Sequence, residues 1–157
     1  IVFQNSLHNS TLGFISLKYQ MLGPGFTISN GCESIERSID LAHTLLLSGT
    51  ADFVLVIGGD LIDPKFSEEI RVTYPQSVEQ VSFYGAALFG TKDSLAKAGL
   101  PATPIELKTE STDQVMNRPF NGSLILDRIR EAVEKQESEF ELIRPDSSKT
   151  KVHLQLG

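Results

Sequence analysis

Apolar residues recur at helical spacing in three stretches of the chain, and alternate or run together in five others. Leu12, Ile15, Tyr19 and Leu22 fall on one helical face, which predicts an amphipathic helix over 6–21. The G-P-G at 23–25 ends it, because proline cannot continue a helix and glycine accepts the turn. FTIS (26–29) is short and rich in β-branched and aromatic residues, the composition of a strand. From Cys32 onward, Ile35, Ile39, Ala42 and Leu46 mark a second helical face. Leu41 and Leu45 widen it, so this helix is expected to be buried on most sides until Ser48 and Gly49 stop it.

DFVLVIGGD (52–60) is a continuous apolar run between turn residues, the signature of a strand covered on both faces. SFYGAALFG (82–90) reads as another strand, weakened by Gly85. Between them lies a looser segment with Pro64, Pro75 and mixed charges. TKDSLAKAGLPATP reads as a surface connection, and PIELKT as a strand. A third helix is predicted over 123–136, with Leu126, Ile129 and Val133 inward and the pairs Arg130–Glu134 and Glu131–Lys135 on its outer face. KVHLQL closes the chain as a strand, with Val152, Leu154 and Leu156 toward the core.

Composition excludes several function classes. A chain of 157 residues with 40% hydrophobic and 22% charged residues suits one globular domain. No apolar run is long enough to span a bilayer. The net charge of -6 gives no basic footprint for a phosphate backbone, so neither nucleic acid nor membrane is an expected partner. A single cysteine fits a reducing compartment, and a cytoplasmic location is the expectation.

That cysteine, Cys32, allows two readings. A lone free cysteine behaves as a small buried hydrophobe and is usually inert. Yet the order strand, S-N-G, Cys32, helix is the layout of a nucleophile elbow, with Gly31 permitting close backbone approach. A thiol at the positive end of a helix is drawn toward thiolate. Glu33 works the other way, since a neighbouring carboxylate disfavours the thiolate.

N-S-T-L-G-F-I-S-L-K-Y-Q-M-L-G-P-G-F-T-I-S-N-G-C-E-S resembles the segment around the active-site cysteine of the β-ketoacyl synthases, condensing enzymes of the thiolase superfamily. The matching positions are Asn9, Gly13, Gly23, Pro24, Phe26 to Ser29, and Cys32. S-G-T-A-D-F-V-L-V-I-G-G-D is similar to the family's G-x-A-D strand ending in G-G, and Gly85, Ala86 and Ala87 to its G-A-A strand. The likeness is collinear over about residues 5–91. The nearest likeness is to short ketoacyl-synthase-like N-terminal proteins, chain-length factors among them.

The resemblance implies an α/β, layered thiolase-like fold: a partial N-terminal half with a mixed sheet and a buried helix following Cys32. The whole of 1–157 would be one such domain, with the family's upstream strands and C-terminal catalytic half outside it. It further implies a decarboxylative Claisen condensation in fatty-acid or polyketide synthesis, with Cys32 as the acyl-accepting residue and no cofactor. The implied partners are an acyl carrier protein, and a full ketoacyl synthase or second copy meeting the strand Phe26, Thr27, Ile28 and Ser29.

The family usually has small residues around its cysteine, where this chain has G-C-E-S-I, and the later catalytic histidine or asparagine has no counterpart here. His43 is eleven residues beyond Cys32 on the same predicted helix, on the order of 16 Å away. His153 faces outward with Lys151 and Gln155, and His8 matches no catalytic position. The expectation is therefore a subunit inactive alone, with a non-catalytic chain-length-factor-like partner as the alternative. G-G-D at 58–60 lacks phosphate-loop spacing and is expected to form a tight turn at a strand end.

Overall fold

The structure is a computed structural model that describes residues 9–31, 33–60, 63, 65, 68–69, 72, 82–111, 124–143 and 148–156. Helix α1 (Ser10–Tyr19) leads through an irregular strap to α2 (Ser34–Leu47) and strand β1 (Phe53–Asp60). Strand β2 (Phe83–Gly90), the short helix α3 (Lys92–Lys97), β3 (Ile105–Ser111), α4 (Leu124–Glu134), β4 (Glu139–Ile143) and β5 (Ser148–Leu154) follow. The class is mixed α and β. Among the described residues two sheets form, both antiparallel, β1–β2 and β3–β5–β4, rather than the mixed sheet expected.

One core joins the elements. Ile35, Ile39 and Ala42 of α2 pack with Val56 of β1, with Ile125, Leu126 and Ala132 of α4, and with Phe140, Leu142, Val152 and Leu154 of the second sheet. Helix α2 rests on β1 and β2, and α4 rests on β2 and also against β4. Gly85 makes the α4 contact possible. A Cβ there would lie 2.7 Å from the Phe83 ring and 3.3 Å from Leu126 Cβ. The glycine that weakens the strand thus lets a helix approach it.

Several expectations change. Strand β1 is covered on one face only: Val56 and Gly58 are buried, while Phe53, Leu55 and Ile57 on the other face are exposed. An all-apolar run hid an alternation. Helix α2 is likewise one-sided, with Arg37, Asp40, His43, Thr44 and Leu47 exposed, although Gly49 at φ +69 closes it as expected. Helix α1 ends at Tyr19, where Gln20 takes the left-handed conformation (φ 53), so G-P-G is not its stop. None of its residues is buried.

FTIS (26–29) enters no ladder. It has no regular secondary structure, and Asn30 just after it forms an isolated bridge. G-G-D (58–60) is strand rather than turn, paired residue for residue with Gly85, Tyr84 and Phe83. Residues 92–97, expected as surface connection, form α3 because Thr91 caps it by accepting the Ser94 N–H at 3.1 Å. Strand β4 was not foreseen.

The outer face of the second sheet carries alternating charge. Lys149 and Lys151 lie 3.3 and 3.2 Å from Glu110 and 3.5 and 3.8 Å from Glu141. The hydrogen bond from Lys151, then that from Lys149, holds the Glu110 carboxyl below its ordinary 4.5, while Glu110 raises Lys151. On α4 the expected pairs form, Arg130 to Glu134 at 2.8 Å and Lys135 to Glu131 at 3.3 Å.

Candidate functional site

The chain enters α2 through a closed turn. The carbonyl of Asn30 accepts the Glu33 N–H, and that of Gly31 accepts the Ser34 N–H, each at 3.2 Å. The Ser34 hydroxyl fastens the turn from inside: it accepts the Asn30 N–H at 2.8 Å and donates to the Gly31 carbonyl at 2.7 Å. Gly31 stands at φ +56, where a side chain is strained. A Cβ there would meet nothing within 4 Å. The glycine is therefore required for its backbone conformation, and the close approach expected of it is not the reason.

Glu33 is the N-cap residue of α2, with no side-chain capping hydrogen bond. Its carboxylate turns along the helix and accepts a hydrogen bond from the Arg37 guanidinium at 3.0 Å. Asp40 lies 3.9 Å from the other guanidinium nitrogen. The acidic neighbour that sequence sets against a thiolate thus already has a cation beside it. Ile35, the other bulky residue of G-C-E-S-I, is buried in the core with Ile39.

Cys32 lies outside the described residues, as does His8. The covalent neighbours of Cys32 are the left-handed Gly31 and the capping Glu33. What the described residues supply there is the first turn of a 14-residue helix, whose dipole favours an anion.

The other histidines sit elsewhere. His43 is exposed, nine residues beyond Ser34 on α2 and about 13 Å along the axis. His153 is exposed on β5, in register with Glu106 of β3 and Glu139 of β4. Among the described residues no group of three or more His, Cys, Asp or Glu could hold a metal ion. No described helix is long and apolar enough to cross a membrane.

Sequence reasoning missed two features of this end of α2. Glu36 is buried, which carboxylates seldom are unless engaged, and it does take part in a contact. Arg37 as the partner of Glu33 was legible from their four-residue spacing. No family model, curated protein or solved structure matches the chain.

Proposed function

We propose that the chain is a β-ketoacyl-synthase-like domain of a fatty-acid or polyketide condensing system, with a thiolase-type layered fold, and that Cys32 receives the acyl group. The observation that carries this reading is the entry to α2. A left-handed glycine and a serine-locked turn deliver the chain to a helix N-terminus at the position where the resemblance puts the nucleophile. The thiolate attacks the thioester carbonyl of an acyl carrier protein, the bond from that carbon to Cys32 Sγ forms as its bond to the carrier sulfur breaks, and the carrier leaves as a thiolate that takes from solvent the proton Cys32 gave up on ionising. The N–H of Cys32 itself is the candidate donor to the oxyanion. Glu33 is held by Arg37 and Ile35 is turned into the core, so neither departure from the family's small residues argues against acylation.

Decarboxylation and condensation need groups that the resemblance locates in the family's second half, so the chain alone transfers acyl groups without condensing them. The expected partner surface is the strap at Phe26, Thr27, Ile28 and Ser29, mostly exposed and outside any ladder. The second reading, a non-catalytic chain-length-factor-like partner, keeps that surface and drops the acylation.

Incubation with an acyl carrier thioester, followed by intact-mass measurement, tests the proposal. A one-acyl adduct on the parent, lost in Cys32→Ala and released by hydroxylamine, supports it. A parent that stays unmodified, yet co-purifies with a full ketoacyl synthase, overturns it in favour of the second reading.

A further inference from the structure

Acyl transfer makes no use of the side chain of Asn30, which opens the turn into α2 and is followed by a glycine. Both residues are exposed. Asn30 bonds through its backbone: its N–H donates to Ser34 Oγ at 2.8 Å, and its carbonyl accepts the Glu33 N–H at 3.2 Å. Among the described residues no hydrogen bond engages its side-chain amide. Gly31 carries no side chain to shield its own amide nitrogen, and the space around it is open, since a Cβ there would meet nothing within 4 Å.

We infer that Asn30 is a site of spontaneous covalent modification, converted to aspartate and isoaspartate through a cyclic imide with Gly31, and that Ser34 sets the rate. The Gly31 amide nitrogen, its proton lost to solvent, attacks Cγ of Asn30. The bond from that nitrogen to Cγ forms, the bond from Cγ to the side-chain nitrogen breaks, and ammonia leaves with a proton from solvent. Water then adds to either ring carbonyl, whose bond to the Gly31 nitrogen breaks as that nitrogen regains a proton. Opening at Cγ gives aspartate, and opening at the main-chain carbonyl gives isoaspartate. Nothing is oxidised or reduced, and water is the one co-reactant.

Ser34 controls the step by where it holds the chain. Ring closure turns the chain about the Cα–C bond of Asn30 until the nitrogen lies against Cγ. The Ser34 hydroxyl grips the backbone on both sides of that bond, accepting from the Asn30 N–H at 2.8 Å and donating to the Gly31 carbonyl at 2.7 Å. The same rotation pulls the Asn30 carbonyl away from the Glu33 N–H. The two Ser34 bonds are exposed, so the turn opens locally while Ile35 and Ile39 stay in the core. The two products then differ in consequence. Aspartate restores the main chain, whereas isoaspartate routes it through the side chain, a methylene longer, and the turn that Ser34 closes no longer fits.

Incubation of the full chain at mildly alkaline pH, folded and in urea, followed by peptide mapping, is the experiment. Conversion reads as a mass gain of about one dalton at Asn30, with isoaspartate separated from aspartate on elution. The folded parent is expected to convert at Asn30, more slowly than in urea. Ser34→Ala, its fold checked by circular dichroism, should convert about two- to twelvefold faster than the folded parent, the factor for loss of one net hydrogen bond. Ser34→Thr keeps the hydroxyl and should stay close to the parent. In urea Gly31→Ala should be slower than the parent, because a side chain then shields the attacking nitrogen. An Asn30 that survives in the folded parent while the urea sample converts overturns the inference, as does a Ser34→Ala chain with the parent's rate. A Gly31→Ala chain as fast as the parent in urea rules out the imide. Asn121, which precedes Gly122 outside the described residues, is read in the same digest. If Ser34→Ala speeds conversion there equally, the variant is loosened throughout and the local gate is overturned. None of these outcomes bears on acylation of Cys32.

Discussion

Arg37 donates a 3.0 Å hydrogen bond to the carboxylate of Glu33, one helical turn back toward the candidate nucleophile. The pair makes the charge beside Cys32 adjustable from both sides. Glu33→Ala removes an anion next to the thiol, and Arg37→Ala uncovers it. The first should speed carbamidomethylation of Cys32 at neutral pH and the second should slow it. Each change is about 1.4- to fivefold, the range that 0.2–1 kcal/mol of exposed charge interaction gives. Rates by mass spectrometry check this, and equal rates in all three proteins would mean the thiol does not feel the pair.

Gly85 and Gly59 both lie beneath aromatic rings, and their alanine variants should nevertheless behave differently. A Cβ at Gly59 would meet the ring of Tyr84, which is largely exposed and free to swing aside. At Gly85 the obstacles are the Phe83 ring and Leu126 in the core, and neither can move without disturbing α4. Gly85→Ala is expected to cost about 1–3 kcal/mol in urea unfolding, as overpacking does, and Gly59→Ala clearly less. The reverse order would contradict the packing described.

Glu110 sets an acid limit on the second sheet. Its carboxyl is held below the ordinary 4.5 by hydrogen bonds from Lys151 and then Lys149. A depressed folded value stabilises the native state above the unfolded value, and that contribution fades as pH falls below 4.5 through the folded value. Glu110→Gln should lower stability at pH 7 and reduce the loss on acidification to pH 3. Melting temperature against pH for both proteins measures it.

Arg128 is nearly buried on α4, its guanidinium 4.7 Å from the centre of the Phe140 ring and ion-paired with Glu137. Glu137→Gln leaves that cation without its main counter-charge and should cost about 1–3 kcal/mol. Arg128→Met, which keeps the stem over Phe140, should cost less. Chemical unfolding of the two variants decides the order.

How much of this was legible follows from what each segment asks of its neighbours. Strands β1, β2, β3 and β5 and helices α2 and α4 were readable because each carries its own period or its own unbroken apolar run. The face of β1 was not, since Phe53, Leu55 and Ile57 are as apolar as Val54 and Val56, and only the position of α2 tells them apart. FTIS looked like a strand from composition, but a strand needs a partner, and no local pattern supplies one. Strand β4 did alternate, with Phe140 and Leu142 inward, but its start is masked by the charged end of α4. At the candidate site, Gly31 and the helix start were legible. The serine lock and the Glu33–Arg37 pair were visible only as spacings, because their meaning depends on where the turn closes.

Helix α4 touches both β2 and β4. It is thereby a mechanical coupling between two sheets that share no strand. Amide exchange in such an arrangement has a definite signature. While α4 is docked, protection in Val56 and Val152 should rise and fall together, as one cooperative unit. A proline placed in the middle of α4, at Arg130, would uncouple them, and each sheet would then open at its own rate.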